Sequence, residues 1–246
     1  MHRTPMWQAE FQTLANRPGL SPDLAGDLDL NGFVFVPGPI PQSNMPQFAA
    51  AYDQAMQGAD PADLHVGSTT TRLHDFVNHG EVFDSVYLHQ PLLSACCQTI
   101  GEPFKLSSFL GRTLRPNMPS QTLHMDYPPD GNGWPMVGFI LMIDDFKKEN
   151  GATCFVPGSH RSTPTETSPI PVCGPAGSMI IYNGSVFHGH GTNQTDRPRR
   201  SLQGAYIRRS AQRGHDPGPR MTAQTRNRLS PLATYLLDLE RPDHRS

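Results

Sequence analysis

Short apolar runs that recur between turn residues constrain the fold of this 246-residue chain most strongly. From about residue 104 they are FKLSSFLGRTL, SQTLHMDY, MVGFILMIDD, ATCFVPG, SMIIYNGSVFH and SLQGAYIRR. Strands of this length and spacing are typical of an antiparallel β-sandwich or small barrel. We predict a mainly β core over residues 104–210, a helical N-terminal part over residues 1–100 and a C-terminal helix over residues 229–240. The helices pack on one side of the sheet, and residues 1–246 form one domain.

The composition excludes several classes of partner. The formal net charge is −2, and no basic stripe is present, which disfavours nucleic acid and anionic membranes. The four cysteines lack the spacing of zinc ligands and are expected to be reduced thiols. No apolar run is long enough for a membrane span, and the N-terminus MHRTPMWQAEF lacks the apolar stretch of a signal peptide. We predict a cytoplasmic monomer or homodimer that acts on a small molecule.

Histidine is abundant, with 11 residues, and one pair stands out. His124-Met125-Asp126 would place an imidazole and a carboxylate on the same face of a strand, because residues two apart point the same way. Together with a second histidine from a neighbouring strand, they would form the facial triad of non-haem iron(II) oxygenases. A His-x-Asp tripeptide also arises readily by chance, so an ordinary surface pair is the alternative.

The second half of the chain supplies more specific signals. The apolar run SMIIYNGSVFH ends at His188, and the next strand begins near Arg199. A metal ligand at the end of one strand and an arginine at the start of the next can face the same cavity. Such an arginine could hold the distal carboxylate of 2-oxoglutarate with two hydrogen bonds. The alternative for Arg199 and Arg200 is a solvated basic pair at a strand end.

The segments HMDY, IDDFKKENGATCFVPGSHR and VFHGHGTNQTDRPRRSL together resemble the phytanoyl-CoA dioxygenase family of iron(II)- and 2-oxoglutarate-dependent oxygenases. The resemblance is strong over residues 104–210. It implies a double-stranded β-helix, the cupin-like jelly roll. It further implies that His124, Asp126 and His188 bind the metal and that Arg199 binds 2-oxoglutarate, while His190 is a rival for the third metal ligand.

Relatives of this kind also contribute a polar contact to 2-oxoglutarate from the chain before His-x-Asp. The candidates are Thr113 and Gln121, and the sequence does not choose between them. Tyr127 and Trp134 are candidate walls of the substrate pocket, with core packing as the equal alternative. His160 is expected to make loop hydrogen bonds, and residues 62–82 are expected to form a lid-like stretch near the substrate.

The resemblance implies a dioxygenase that uses iron(II), 2-oxoglutarate and O2 and that releases succinate and CO2. The substrate would be a small-molecule metabolite, as in specialised metabolism, and hydroxylation is the expected outcome, with desaturation or cyclisation left open. Halogenating relatives lack the carboxylate ligand, so Asp126 disfavours that reaction. Two other functions stay open at this point. One is a catalytically silent cupin-like sensor, and the other is a metal-dependent isomerase or hydrolase on the same barrel.

Overall fold

The fold is described from a computed structural model, which covers residues 6–162 and 168–239. The α-helices are α1 (Met6–Ala15), α2 (Pro22–Asn31), α3 (Met45–Gly58), α4 (Asp84–Tyr87), α5 (Gln90–Ile100), α6 (Ala223–Arg228) and α7 (Pro231–Leu236). The strands are β1 (Phe33–Pro37), β2 (Leu64–Val66), β3 (Thr70–Leu73), β4 (Phe104–Leu114), β5 (Met136–Met142), β6 (Thr153–Phe155), β7 (Ile170–Pro171), β8 (Ser178–Asn183), β9 (His188–His190) and β10 (Arg199–Arg208).

Two antiparallel sheets form the core. The larger has the strand order β1-β8-β5-β10-β4-β3-β2, and the smaller has the order β7-β6-β9. The chain crosses repeatedly between strands that are distant in sequence, as in a jelly roll. The mainly β, cupin-like fold with flanking helices is therefore confirmed.

Side chains alternate along the central strands, so the two faces of the larger sheet lie in different surroundings. One face of the larger sheet carries Phe139, Leu202 and Tyr206 into the main apolar core, which also holds residues of α1, α3 and α5. The opposite face carries Ile140 and Tyr182 into a smaller apolar cluster with Phe155 of β6. Because side chains alternate along a strand, polar residues of β10 such as Ser201 and Gln203 share this inner face. The inner face, between the two sheets, is where the candidate site lies.

Capping residues fix both ends of α2. Ser21 caps α2 by accepting a hydrogen bond from the Leu24 amide, and Gly32 ends the helix in the left-handed conformation at φ 82°. The predicted C-terminal helix is shorter than expected. It begins at Pro231 after the Ser230 cap and ends at Leu236, while residue 240 lies outside the described residues. No helix in the described ranges is both long and apolar enough to cross a membrane.

Two segments differ from the sequence prediction. Residues 120–127, predicted as a strand, form no regular strand; His124 makes only an isolated bridge to His188. Residues 62–82, predicted as lid-like, contain β2 and β3, which extend the larger sheet beyond β4. Residues 62–82 show no clean alternation of apolar side chains, so the sequence pattern does not reveal the pairing of β2 and β3.

Arg200 provides a test of the packing on the outer side of β10. Its guanidinium contacts Asp144 at 2.6 Å and Asp53 at 2.6 Å, and its backbone amide donates to Asp144 at 2.7 Å. We expect Arg200→Gln to lower the free energy of unfolding by about 1–2 kcal/mol, because the part-buried Asp144 loses its counter-charge. Chemical denaturation measures this, with the exposed Arg161→Gln as control. Equal stability of the two variants would contradict the expectation.

Candidate metal centre

Backbone pairing brings the two histidines of the site together. The His124 amide donates to the His188 carbonyl at 3.0 Å, and the His188 amide donates back to His124 at 2.9 Å. Residues that exchange both hydrogen bonds across an antiparallel pair project their side chains to the same face. The imidazole centroids accordingly lie 4.7 Å apart. The same-face argument made for a strand thus holds locally, although the segment around His124 is only a bridge.

Asp126 completes a cluster of three potential metal ligands. Its carboxylate oxygens lie 3.5 Å from His124 Nε2 and 3.6 Å from His188 Nε2. The amides of Asp126 and Tyr127 both donate to the Gly184 carbonyl, at 2.9 and 3.0 Å, and hold this segment in place. One ligand atom from each of the three side chains lies within 4.8 Å of the other two. The structure therefore brings the three residues singled out in the sequence to one point.

The histidines are oriented by hydrogen bonds on their far side. Nδ1 of His124 lies 3.0 Å from the Thr122 carbonyl, and Nδ1 of His188 lies 3.0 Å from the Val186 carbonyl. A carbonyl only accepts, so each Nδ1 carries a proton, and each Nε2 is left to face the carboxylate. This orientation by backbone carbonyls is the usual support of metal-binding histidines. Burial lowers the pKa of His188, which favours the neutral ring that a metal requires.

Tyr182 supports the carboxylate. Its hydroxyl donates to Asp126 Oδ2 at 2.7 Å, and burial raises the Tyr182 pKa well above its ordinary value, so the proton stays on the phenol. Burial acts to raise the pKa of Asp126. Without a metal, the interactions with the two histidines and the hydrogen bond from Tyr182 outweigh that effect and hold the pKa of Asp126 at about 2. Asp126 is thus ionised at neutral pH.

The donor set and its surroundings fit a bound iron(II) ion. Two neutral imidazoles and one carboxylate are the ligands of the facial triad, which leaves the remaining positions of the metal open. Each Nε2 is presented by a fixed ring, and the carboxylate is ionised and anchored. The residues present therefore suit the metal that the sequence implied.

Arg199 is the second part of the site. It lies at the start of β10, is 2% exposed, and stacks over the Phe146 ring at 3.9 Å. Its Nε and Nη1 have no hydrogen-bond partner although both are buried. Burial and then the charge of Arg112 lower its pKa to about 9, which leaves it protonated at neutral pH. An unpartnered buried guanidinium is costly on its own and indicates a place for an anion.

A small cavity connects Arg199 to the metal cluster. Its volume is about 50 Å³. Its lining is mostly polar and consists of Arg112, Gln121, His124, Asp126, Ile140, Thr153, Tyr182, His188, His190, Arg199 and Gln203. Metal ligands at one end of the polar lining and a guanidinium at the other match the chemistry of a slender dianion such as 2-oxoglutarate.

The structure separates the two candidates for the contact before His-x-Asp. Gln121 lines the small cavity, where its Oε1 accepts a hydrogen bond from Arg112 at 3.0 Å. Thr113 lies on the other face of β4, and its hydroxyl is 2.9 Å from the Tyr52 hydroxyl of α3. The prediction for Thr113 does not agree with this geometry. Its pairing with Arg200 in the β4–β10 ladder puts it on the outer face.

The two candidate walls of the substrate pocket, Tyr127 and Trp134, lie in different places. Tyr127 lines a larger cavity of about 910 Å³ that adjoins Asp126. Trp134 is absent from that lining. Its indole N–H donates to the His160 carbonyl at 3.3 Å, and its ring packs 5.2 Å from the His160 ring. Trp134 therefore packs against the loop around His160 and does not line the cavity.

His190 and His160 have other partners. Nδ1 of His190 lies 2.9 Å from the Gly191 carbonyl, and Nε2 lies 3.0 Å from the Thr69 hydroxyl. His190 thus lines the small cavity but lies outside the cluster of three ligand residues. Nε2 of His160 lies 3.1 Å from the Asp29 carbonyl, as expected for a loop residue.

The sequence reading missed Tyr182 and Arg112. Tyr182 occupies an inner-face position of β8, two residues after Ile180, so the alternation of SMIIYN could have indicated it. Arg112 is a charged residue inside the apolar run FKLSSFLGRTL. A charge inside a strand of the core was the available signal, because such a residue needs a partner or a function.

Removing the Tyr182 hydroxyl should weaken metal binding. We expect Tyr182→Phe to lower the affinity for iron(II) by about tenfold, in line with the effect of groups that support metal ligands. The ring would still pack against Phe155 and His188, so the fold is expected to persist. A competition titration with a metal-sensitive dye measures the change. Tyr206→Phe, on the outer face, is the control, and equal affinity in both variants would rule out the supporting role.

Comparisons with known proteins agree with this geometry. The sequence model of the phytanoyl-CoA dioxygenase (PhyH) family matches residues 28–201. Dioxygenase trt7 of Aspergillus terreus is 26% identical over 245 residues, which cover 89% of this chain and 85% of the relative. The Fe(II)/2-oxoglutarate-dependent dioxygenase nvfF of Aspergillus novofumigatus is 29% identical over 187 residues, 68% of this chain and 60% of that one. The matches thus span less than two thirds of several relatives.

A solved structure shows the same fold. HygX from Streptomyces hygroscopicus, with nickel and 2-oxoglutarate bound, has a TM-score of 0.67 at 18% identity. The match covers 80% of this chain and 91% of HygX. At this identity the likeness supports the fold, and the arguments about individual residues depend on the geometry described above.

Proposed function

The chain belongs to the phytanoyl-CoA dioxygenase family, and on that premise we propose that it oxidises a small organic metabolite, most simply by hydroxylation, with iron(II), 2-oxoglutarate and O2. The observation that carries the proposal is the His124–Asp126–His188 cluster, which lines the same small cavity as the buried, unpartnered Arg199. Neither a sensor without chemistry nor an isomerase requires this combination of three metal ligands and a deep guanidinium.

We assign the metal to His124, Asp126 and His188. Their side chains are held in place before any ion arrives, because backbone carbonyls fix both rings and Tyr182 fixes the carboxylate. Ligands that need no rearrangement bind metal at a smaller entropic cost. When bound, iron(II) and 2-oxoglutarate supply the activation of O2 for C–H oxidation, with succinate and CO2 as products.

We assign the distal carboxylate of 2-oxoglutarate to Arg199. Its planar guanidinium can donate two parallel hydrogen bonds, which fix the cosubstrate's orientation as well as its charge. Stacking on Phe146 holds the guanidinium plane in one orientation. The Gln121 amide group, whose oxygen is already engaged by Arg112, has its N–H donors left for the cosubstrate.

We assign the primary substrate to the larger cavity. Its volume of about 910 Å³ suits a small molecule, and it reaches the metal site at Asp126 and Tyr127. The wall mixes apolar side chains such as Leu64, Met136 and Ile207 with polar ones such as His74 and Ser108. Such a wall fits a metabolite with both kinds of surface. We further propose that the protein acts in the cytoplasm as a monomer or homodimer. We propose no nucleic acid or membrane as a partner, because the chain has no basic stripe.

Succinate formation tests the proposal. Protein loaded with iron(II) is expected to convert 2-oxoglutarate to succinate in the presence of O2, slowly alone and faster with a substrate from a panel of metabolites. Omission of O2 should stop the reaction, which distinguishes an oxygenase from an isomerase or hydrolase. Folded, metal-loaded protein that forms no succinate with any member of a broad panel would favour the sensor.

A further inference from the structure

A histidine–aspartate pair lies at the wall of the larger cavity, outside the metal centre. His215, in the loop that follows β10, is hydrogen-bonded through its Nε2 to Oδ1 of Asp75, which lies just after β3. The Asp75 side chain is only 7% exposed, whereas the His215 ring is 30% exposed and lines the cavity. A buried carboxylate thus holds an accessible imidazole at the cavity surface.

The carboxylate of Asp75 has no local structural task. Its backbone adopts the left-handed conformation at φ 56°, which is strained for a residue with a Cβ and is often found at functional sites. The side chain does not cap the short helical turn that follows, over residues 76–79. Its Oδ2 is buried without a hydrogen bond, 3.7 Å from Arg220 Nε. Within the described ranges, His215 is therefore its one hydrogen-bond partner.

This contact decides which nitrogen of His215 is available to a ligand. A carboxylate only accepts, so Nε2 carries a proton, and in the neutral ring Nδ1 is left as an acceptor. No described residue forms a hydrogen bond with Nδ1 of His215, whose ring lines the cavity. An accessible acceptor of this kind suits an O–H group of a bound molecule.

A second histidine lies against the pair. The ring of His74 also lines the cavity, and its centroid is 5.5 Å from that of His215. Burial and then the neighbouring His215 lower the pKa of His74, so its ring is neutral at neutral pH. His74 therefore adds no charge beside the free nitrogen of His215.

The permanently charged side chains that line this cavity already have partners. Arg213 contacts Asp216 at 3.0 Å, and Arg220 contacts Asp63. Asp126, the remaining acidic residue of the lining, is assigned to the metal. In the part of the chain that the structure describes, the cavity thus offers no unpaired permanent charge to a charged ligand. Its lining favours an uncharged one.

We propose that the Asp75–His215 pair binds a hydroxyl group of the primary substrate, which makes that substrate an uncharged alcohol or phenol with an apolar body. The inference rests on the proposed function, which assigns the substrate to this cavity. Apolar side chains such as Ile207 line the same cavity and suit such a body. Because Asp126 lines it too, a hydroxyl held at His215 fixes which carbon is presented to the metal.

The test compares alcohols with their methyl ethers, which lack the O–H donor. Wild-type protein saturated with nickel(II) and 2-oxoglutarate is titrated with 2-naphthol and 2-methoxynaphthalene, and with cyclohexanol and methoxycyclohexane, by ligand-observed NMR. The alcohol of at least one pair is expected to bind roughly three- to tenfold more tightly than its ether, as one hydrogen bond predicts. A preference within the naphthalene pair alone assigns a phenol, and one within the cyclohexane pair alone assigns an aliphatic alcohol.

Two substitutions separate substrate binding from a structural role of the pair. His215→Phe keeps a ring but removes both nitrogens, so the preference for the alcohol is expected to disappear. Asp75→Asn no longer fixes the ring proton on Nε2 and should reduce the preference, which covers the case in which His215→Phe does not fold. The ratio compares two probes in one protein, so a general loss of stability does not change it.

His89→Phe is the matched control and should keep the wild-type preference. His89 does not line the cavity, and its Nε2 lies 3.0 Å from the Pro37 carbonyl. Absence of binding by every probe, equal binding of alcohol and ether by the wild type, or an undiminished preference in either pair variant would overturn the proposal.

Failure of the proposed function would look different. In that case the wild type would form no succinate with any metabolite, whereas the preference for the alcohol would persist when the titrations are repeated on metal-free protein. Conversely, succinate formation by a wild type that shows no preference for alcohols would refute the hydroxyl site alone.

Discussion

Replacing His188 by alanine is expected to abolish stoichiometric iron(II) binding and, with it, succinate formation. The imidazole is buried, its Nε2 lies 3.6 Å from Asp126, and no other ligand atom in the described cluster can take its place. Loss of a group that only supports a ligand weakens metal binding by about 10- to 100-fold, so loss of a ligand should cost at least a hundredfold. Anaerobic calorimetry with iron(II) measures the affinity directly.

His190→Ala is the matched control for this experiment. His190 lies two residues away on β9 and faces the same cavity, but its two ring nitrogens already contact Gly191 and Thr69. We expect this variant to keep a metal site of wild-type stoichiometry. Metal binding that survives in His188→Ala and disappears in His190→Ala would reverse the assignment of the third ligand.

Replacing Arg199 by glutamine is expected to lower the affinity for 2-oxoglutarate by about a hundredfold or more. The distal carboxylate would then be buried without its counter-charge, a loss of the size seen when one member of a buried ion pair is removed. Metal binding should be little changed, since Arg199 is not among the ligand residues. Calorimetric titration of nickel(II)-loaded protein separates the two effects.

The neighbouring Arg200→Gln is the control for Arg199→Gln. The two side chains leave β10 on opposite faces, and Arg200 is tied to Asp53 and Asp144 on the outer side. We expect this variant to be less stable but to bind 2-oxoglutarate with wild-type affinity. If both substitutions weaken 2-oxoglutarate binding equally, the cosubstrate is not anchored where we have placed it.

The three residues that we assign to the metal could be singled out because their spacing is a local feature of the sequence. His124 and Asp126 were one match that chance could produce, and the apolar strand that ends at His188 made the match specific. Arg199 followed from the start of the next strand and from the family resemblance. In each of these cases the information lies within a few residues of sequence.

For the residues that the sequence prediction misplaced or missed, strand register decides which face of the sheet the side chain occupies. Thr113 and Arg112 are adjacent on β4, so a difference of one residue decides which of them faces the cavity. The decision comes from the pairing of β4 with β10, which includes a bulge between Ala205 and Tyr206. No short segment of sequence contains that pairing, so Arg112 was overlooked and Thr113 stayed a candidate beside Gln121.

The same limit applies to Arg72 and Trp134. Arg72 lies opposite Arg112 in the pairing of β3 with β4, and the sequence pattern predicted a lid rather than a strand at β3. Trp134 was a candidate wall of the substrate pocket, with core packing as the equal alternative. Its direction is instead set by a hydrogen bond to His160, a residue 26 positions further along the chain. Long-range contacts of this kind are not visible in local patterns.

Anaerobic addition of iron(II) and then 2-oxoglutarate to the purified protein tests the central claim most directly. We expect a weak visible charge-transfer band that saturates at one equivalent of each and that is absent from His124→Ala. Folded wild-type protein without the band, or an undiminished band in His124→Ala, would contradict the assignment of the iron site to His124, Asp126 and His188.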